Sequence, residues 1–159
     1  KNKHTLQIDE FKFKCCIGKK GLTSNKKEGD KKTPKGTFKI GNLYFRKDRK
    51  KKPSTILKCM EIKKNMGWCD DIRFPKKYNK LIQIKKEIRH EKLKRKDSKY
   101  DLLIPIKYNF KKPVTGLGSC IFIHLTKNYK PTAGCIALKE KDFLIMLKLI
   151  KKNSKIKIF

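Results

Sequence analysis

Apolar and polar residues alternate along much of the chain, and this alternation predicts short β-strands. The apolar positions 6, 8, 11, 13 and 15 predict two strands bent around Asp9 and Glu10. Further alternating runs predict four more strands, at residues 37–40, 55–62, 102–108 and 156–159. Residues 29–36 combine Gly-Asp with Thr-Pro-Lys-Gly and predict a loop, and the basic residues 43–53 predict an exposed one.

The strand predicted at residues 120–125 has two different faces. Because side chains alternate along a strand, one face carries Cys120, Phe122 and His124. The other face carries only aliphatic side chains, at positions 121, 123 and 125. The face that carries the histidine is therefore expected to be partly aromatic and dry, which strengthens electrostatic contacts made there.

One helix is predicted after residue 138. Phe143, Leu144, Leu147 and Ile150 form an apolar stripe at helical spacing, and the helix is expected to end at residues 153–154. Acidic residues in its first turn and lysines in its last suit the helix dipole. One helix among many strands predicts a mainly β protein.

Length and charge narrow the possibilities. The 159 residues, 37% of them apolar, predict one domain that spans residues 1–159. Lys and Arg number 45 against 14 Asp and Glu, a formal charge of +31 that attracts polyanions. The charge is dispersed and rich in lysine rather than arginine, so no specific nucleic-acid recognition is expected. For residues 46–52 an exposed loop is favoured over a nucleic-acid patch, because no aromatic residue lies between the lysines.

No apolar run is long enough to cross a membrane. The sequence begins with Lys1 rather than Met and shows no leader pattern, so a removed signal segment and a trimmed chain both remain open. The six cysteines lack the paired spacing of a zinc site, and no metal or cofactor is expected. If one cysteine is a nucleophile, five remain, and an odd number cannot all pair within one chain.

Cys135 and His124 are the candidate catalytic residues. A thiol with an ordinary pKa is mostly protonated at neutral pH, so a nucleophilic cysteine needs a base or a cation beside it. Gly134 leaves space for a substrate carbonyl, and backbone N–H groups near Cys135 are candidate oxyanion donors. From these two residues alone, a buried structural cysteine remains the simpler alternative.

The motifs around this pair resemble the L,D-transpeptidase catalytic domain (YkuD) family. Residues 118–124 read Gly-Ser-Cys-Ile-Phe-Ile-His, and residues 131–138 read Pro-Thr-Ala-Gly-Cys-Ile-Ala-Leu, similar to the branch with a Pro-Thr-x-Gly-Cys-[Ile/Val]-Ala-Leu motif. Further matches occur in the same order as in the family, at residues 16–21, 28–38, 67–71, 78–82, 90–91 and 100–102. The resemblance implies a β-sandwich or barrel of mixed strands with one helix after the catalytic cysteine. Ala133 and Ala137 depart from it, since related branches have Glu or His at the first position and Arg at the second.

The resemblance also implies a reaction. Cys135 would attack the peptide bond between meso-diaminopimelate and D-alanine in a tetrapeptide stem, with His124 as base, and form a thioester. Gly134 and Thr132 would shape the oxyanion site or orient His124. An amine acceptor would make the enzyme a transpeptidase, water an L,D-carboxypeptidase, and cleavage of wall-attached protein an amidase-like hydrolase.

Four residues are candidate substrate contacts: Trp68, Asp70, His90 and Tyr100. For Trp68, in a predicted Gly-led turn, a core anchor is the alternative, and for His90 a surface histidine. The expected partners are peptidoglycan stem peptides, with anionic cell-envelope polymers as further candidates. The protein is expected to act as a monomer in the periplasm or cell envelope. The rival class is a non-catalytic basic protein that binds nucleic acid or an anionic envelope polymer, and alkylation of Cys135 at neutral pH is expected to separate the two.

Overall fold

The computed structural model describes residues 4–8 and 10–159, and this part of the chain forms short strands with one helix. The elements follow in chain order: β1 (His4–Ile8), β2 (Phe11–Cys16), β3 (Leu22–Thr23), β4 (Thr33–Pro34), β5 (Gly36–Lys39), β6 (Leu43–Phe45), β7 (Cys59–Glu61), β8 (Met66–Cys69), β9 (Leu81–Gln83), β10 (His90–Lys92), β11 (Leu102–Pro105), β12 (Phe122–Leu125), β13 (Ile136–Leu138), α1 (Glu140–Leu149) and β14 (Lys155–Ile158). The predicted mainly β class is confirmed.

The largest sheet has seven strands in the order β1-β2-β13-β12-β11-β6-β7. Strands β12 and β13 run parallel, with His124 opposite Ala137, and β13 also pairs antiparallel with β2. Parallel neighbours end at the same edge of a sheet, so the turn that leads into β13 lies beside the start of β12. Cys135, the last residue of that turn, therefore reaches the backbone of Phe122.

The two faces of β12 pack into two different clusters. Ile121, Ile123 and Leu125 join the main core with Phe143 and Leu147 of α1. On the other face Phe122 joins a smaller cluster that contains Trp68, Tyr44, Tyr100 and Cys135. The division of side chains predicted from the alternation is therefore confirmed.

Three smaller sheets surround the large one, in the orders β10-β8-β9, β14-β5 and β3-β4. The first brings Trp68 of β8 edge-on against Phe122, with ring centroids 5.3 Å apart. In the second, the antiparallel pair β5 and β14 places Phe38 opposite Ile156. These contacts pack the segments before and after the candidate active site around it.

The interpretation of residues 43–53 as an exposed loop is wrong at its start. Leu43, Tyr44 and Phe45 form the buried strand β6, which pairs with β11, and Arg46 is only 4% exposed. Three apolar residues are too few to show a period, and the basic residues that follow hide them. Arg46 is buried because Asp48 and the carbonyl of Arg95 accept its hydrogen bonds.

Other predicted bounds also change. The strand expected at residues 55–62 forms only at Cys59–Glu61, and the turn expected around Trp68 is strand β8. In α1 the buried positions are Phe143, Met146 and Leu147, whereas Leu144 is 37% exposed. The helix ends at Leu149 rather than near residue 153.

Two global properties complete the description. Within residues 4–8 and 10–159, no helix is both long and apolar enough to cross a membrane. All six cysteines are free thiols, four of them buried, so no disulfide links the strands of the described chain.

Candidate active site

The thiol of Cys135 is buried between backbone groups of one neighbouring segment. Its Sγ donates a hydrogen bond to the carbonyl oxygen of Cys120 at 3.2 Å and accepts one from the N–H of Phe122 at 3.4 Å. Burial raises the pKa of the thiol to about 12, although the Phe122 N–H acts in the opposite direction. At rest Cys135 is therefore a protonated thiol, and it needs a base at the moment of attack. Alkylation of Cys135 at neutral pH thus does not separate an enzyme from a non-catalytic protein, contrary to the expectation from the sequence.

Residues 132–135, the Cys135 turn, are held by one hydroxyl. Thr132 Oγ1 donates to the Cys135 carbonyl at 2.6 Å and accepts from the Gly134 N–H at 3.1 Å. The orienting role toward His124 proposed for Thr132 is therefore not what its contacts show. The Gly134 N–H, a candidate oxyanion donor, is used inside the turn.

Gly134 is required by its surroundings. Its φ is 144°, and a Cβ there would lie 2.9 Å from the carbonyl oxygen of Lys32. Any other residue would combine a strained backbone with a steric clash. The position thus needs glycine because another segment packs directly against the turn, and the space expected for a substrate carbonyl is occupied by the Lys32 carbonyl.

Thr33 is the main residue of that other segment, and sequence reasoning missed it. Its side chain is fully buried, and Oγ1 donates to the Gly134 carbonyl at 2.8 Å while it accepts from the Gly18 N–H at 2.9 Å. The pattern at residues 29–36 predicts only a loop, whereas Thr33 and Pro34 form strand β4. The match of residues 28–38 to the family was the one available signal that the loop belongs to the site.

His124 is arranged as a neutral base. Its ring is 6% exposed, and Nδ1 lies 2.9 Å from the Leu125 carbonyl oxygen, which can only accept a hydrogen bond. The proton is therefore on Nδ1, and Nε2 keeps its lone pair. Burial lowers the pKa of His124 to about 4, so the imidazole is neutral at physiological pH. Tyr100 packs edge-on against it, with ring centroids 5.3 Å apart.

Both residues line one cleft of about 730 Å³. Six basic side chains also line it: Arg49, Arg95, Lys96, Lys99, Lys127 and Lys130. Its two acidic residues, Glu91 and Asp97, both pair with Arg95, and this partner holds the pKa of Asp97 at about 2. The four lysines form no salt bridge with any residue that the structure describes, so the cleft carries uncompensated positive charge.

Of the four predicted substrate contacts, the structure brings one to the cleft. Tyr100 lines it, and burial raises the pKa of its hydroxyl well above the ordinary value. Trp68 is 3% exposed and donates from Nε1 to Asn79. Asp70 and His90 are not among the residues that line the cleft. Asp70 pairs with Arg89, and His90 Nδ1 lies 2.6 Å from the Ile88 carbonyl oxygen.

Ala133 and Ala137, the two departures from the motif, both line the cleft. Within the described residues, no group of three or more His, Cys, Asp or Glu side chains could hold a metal ion.

Comparison with known proteins identifies the family of the chain. The family model of the L,D-transpeptidase catalytic domain matches residues 5–158. Searches of curated proteins and of solved structures give no significant match. The family model covers nearly the whole chain, including every strand of the large sheet beyond His4 and both catalytic candidates. The chain therefore belongs to the L,D-transpeptidase catalytic-domain family, whose β-sandwich fold its mixed sheets fit.

Proposed function

We propose that this protein is an L,D-transpeptidase that cleaves the bond between meso-diaminopimelate and D-alanine in tetrapeptide stems through a thioester on Cys135. The observation that carries the proposal is that a buried thiol and a neutral imidazole line the same cleft. A cysteine kept only for packing would need neither a base in the same cleft nor an opening to that cleft.

The protonation states define the first step. With a thiol pKa of about 12 and an imidazole pKa of about 4, a resting thiolate–imidazolium pair is unfavourable. His124 Nε2 therefore removes the proton from Cys135 as Sγ attacks the substrate carbonyl, and the N–H of Phe122 stabilises the developing negative charge on sulfur. The imidazolium then gives this proton to the leaving amine of D-alanine, and a thioester remains.

A second amine resolves the thioester. The acceptor amine attacks the thioester carbonyl, sulfur leaves and takes up a proton through His124, and a 3→3 crosslink forms. With water as the acceptor, the same steps make an L,D-carboxypeptidase, and with a wall-attached protein as the leaving group an amidase-like hydrolase.

The experiment is mass spectrometry of purified protein mixed with disaccharide-tetrapeptide muropeptides, with Cys135→Ala and His124→Ala in parallel. Cys59→Ala and His4→Ala remove the same residue types outside the cleft and serve as matched controls. Loss of D-alanine with dimer formation supports the transpeptidase, and loss without dimers the carboxypeptidase. Activity that survives Cys135→Ala, or muropeptides left intact by the wild type, contradicts the proposal and favours the wall-attached donor or the non-catalytic basic protein.

The free lysines of the cleft suit a substrate that carries carboxylates. Lys127 and Lys130 are exposed at its rim and replace, in charge, the arginine that a related branch has at the position of Ala137. We expect Lys127→Gln with Lys130→Gln to raise KM about tenfold and to change kcat less than about twofold, because the lost contacts are the same in the ground and transition states. Lys85→Gln with Lys86→Gln, exposed and outside the cleft, is the control.

The proposal extends to where and with what the protein works. An enzyme of stem peptides acts in the periplasm or cell envelope, and we propose that it does so as a monomer. The formal charge of +31 would also hold it near anionic envelope polymers. Sedimentation with isolated cell wall should then fall steeply between 50 and 500 mM salt, whereas salt-independent sedimentation would contradict this partner.

A further inference from the structure

The amide of the buried residue Asn79 lies at the centre of a network of four hydrogen bonds. Oδ1 accepts from Trp68 Nε1 at 3.0 Å and from the Cys120 N–H at 3.1 Å. Nδ2 donates to the carbonyl oxygens of Tyr108 at 3.0 Å and Asn109 at 2.7 Å. Both donors and both acceptor positions are thus in use, and only one orientation of the amide fits these four partners.

Cys120, one of these partners, has an unusual backbone. Its φ is 54°, a left-handed conformation that residues other than glycine adopt rarely and at a cost in energy. Such conformations persist only where the surroundings impose them, and they concentrate at functional sites. The hydrogen bond from the Cys120 N–H to Asn79 is a contact that imposes it.

The opposite end of the same residue touches the nucleophile. The Cys120 carbonyl accepts the S–H of Cys135 at 3.2 Å, and two residues later the Phe122 N–H donates to the same sulfur. A change in φ at Cys120 would therefore move both groups that orient the thiol. The path from the Asn79 amide through Cys120 to Cys135 Sγ is continuous and made of two direct hydrogen bonds.

We infer that Asn79 is a positioning residue for Cys135: its side-chain amide holds Cys120 in the left-handed conformation that aims the Cys120 carbonyl and the Phe122 N–H at the thiol. This inference rests on the proposed cysteine chemistry for its effect on turnover, whereas its effect on the thiol itself can be measured without any substrate. Asparagine is suited to the role because no other side chain of its length both accepts two hydrogen bonds and donates two.

The first test is the pH dependence of Cys135 alkylation by iodoacetamide, mapped by mass spectrometry, in wild type and Asn79→Ala. We expect the variant to react at least about tenfold faster at pH 8, because a thiol released from its buried position has a pKa closer to the ordinary value. With muropeptides, kcat should fall about 100-fold while KM changes less than about threefold, since the thiol is misplaced and the cleft is not. Trp68→Phe removes the other donor to Asn79 Oδ1 and leaves Cys120 bound, so it should lower thermal stability without a shift in the alkylation profile.

The second test changes Cys120 and does not depend on whether Asn79→Ala folds. Valine resists the left-handed conformation and glycine adopts it without strain. Cys120→Val should therefore lower kcat as Asn79→Ala does, and the kcat of Cys120→Gly should be at least about tenfold higher than that of Cys120→Val. In the Asn79→Ala background, Cys120→Gly should recover part of the lost kcat.

Three results would overturn the inference. They are an unchanged alkylation profile in Asn79→Ala, an equal kcat in Cys120→Val and Cys120→Gly, or a shift in Trp68→Phe as large as that in Asn79→Ala, which would indicate general loosening of the core. If the wild type leaves muropeptides intact but Asn79→Ala shows the predicted shift in Cys135 alkylation, the proposed function is refuted and the positioning role of Asn79 is supported.

Discussion

Two segments with left-handed backbone meet at the thiol of Cys135, and they meet the same requirement in different ways. The Cys135 turn uses a glycine, Gly134, which adopts its φ of 144° without a Cβ to clash. The Cys120 bend, residues 118–120, has a cysteine with a φ of 54° and depends on the Asn79 amide to hold it. The left-handed backbone of the turn is thus supplied by its own glycine, whereas that of the bend depends on a residue 41 positions away.

This difference predicts which substitutions should lower activity most. In the turn, a substitution of the glycine itself should do the most damage, because a neighbouring backbone occupies the space. In the bend, the residue can change so long as its φ is kept, and the supporting partners should matter more.

The largest effect is expected from Gly134→Ala. A Cβ would lie 2.9 Å from the Lys32 carbonyl, so the turn must shift and carry Cys135 with it. We expect kcat/KM to fall about 100-fold, as for a displacement of a reacting group by about 1 Å. Gly116→Ala is the control: its φ is 85°, but a Cβ there meets nothing within 4 Å. Equal losses in the two variants would show that backbone strain alone, and not the contact with Lys32, limits the turn.

Thr33→Val should come second. Valine keeps the shape of threonine but leaves the Gly134 carbonyl and the Gly18 N–H without their partner in a buried position. We expect a loss of about 1–3 kcal/mol in the free energy of unfolding, measured in urea, and about tenfold in kcat/KM. Thr23→Val, whose hydroxyl accepts only from the exposed Asn25 N–H, should change both by much less. If Thr33→Val is as stable and as active as the wild type, the Cys135 turn does not need the hydrogen bonds of Thr33.

A smaller effect is expected from Ser119→Ala in the bend. Ser119 donates to Glu28 Oε2 at 2.7 Å, and Tyr78 donates to the same oxygen, so one of two bonds remains. We expect about a threefold loss of kcat/KM, below the effect of Asn79→Ala, and a cost of about 1 kcal/mol in stability. If Ser119→Ala proves more damaging than Asn79→Ala, the bend is held from the Glu28 side instead.

The smallest effect should be the pH dependence of kcat/KM between pH 5 and 8. His124 has a folded-state pKa of about 4, lowered by burial, so its base form is already fully present across this range. Stability behaves differently: the unfolded chain, with a histidine pKa of about 6.5, binds more protons than the folded protein between the two values. His124 therefore contributes fully to the free energy of unfolding above about pH 6.5. This contribution is lost as the pH falls toward 4, by at most about 3 kcal/mol.

Urea unfolding at pH 7, 5 and 4 checks this sign. The stability of wild type should fall more than that of His124→Gln, since glutamine cannot be protonated. An acid limb of kcat/KM near pH 6.5 would instead show that His124 is solvated and titrates normally, in conflict with its 6% exposure.

The sequence predicted those parts of the molecule that depend on local pattern. The alternation at residues 120–125 is enough to assign each face of β12, and the motif at residues 131–138 carries the nucleophile and its glycine. The strand β6 was missed because Leu43–Phe45 is too short to show a period next to seven basic or acidic residues in sequence.

Thr33 and Asn79, which support the turn and the bend, escaped prediction from the sequence, and the reason is a different one. The hydroxyl of Thr33 donates to the carbonyl oxygen of Gly134, which lies 101 residues later in the sequence. Neither position has a pattern that identifies the partner. The same holds for Asn79 and Cys120, and for Trp68, which the sequence leaves equally suited to a binding cleft or a core. Only the pairing of the strands decides which polar groups meet in the interior.

Strand pairing also sets the time at which the nucleophile can form. Strand β13, which follows Cys135, pairs with β2, and β14 pairs with β5, so the sheets are completed by contacts between early and late segments of the chain. Contacts between distant residues form slowly, because the loop that joins them must close first. During synthesis, therefore, Cys135 has no burial and no fixed base until the later strands have joined the sheet. While the chain is being made, the Cys135 side chain should therefore remain an ordinary, exposed thiol, and it should become buried only in a late step of folding.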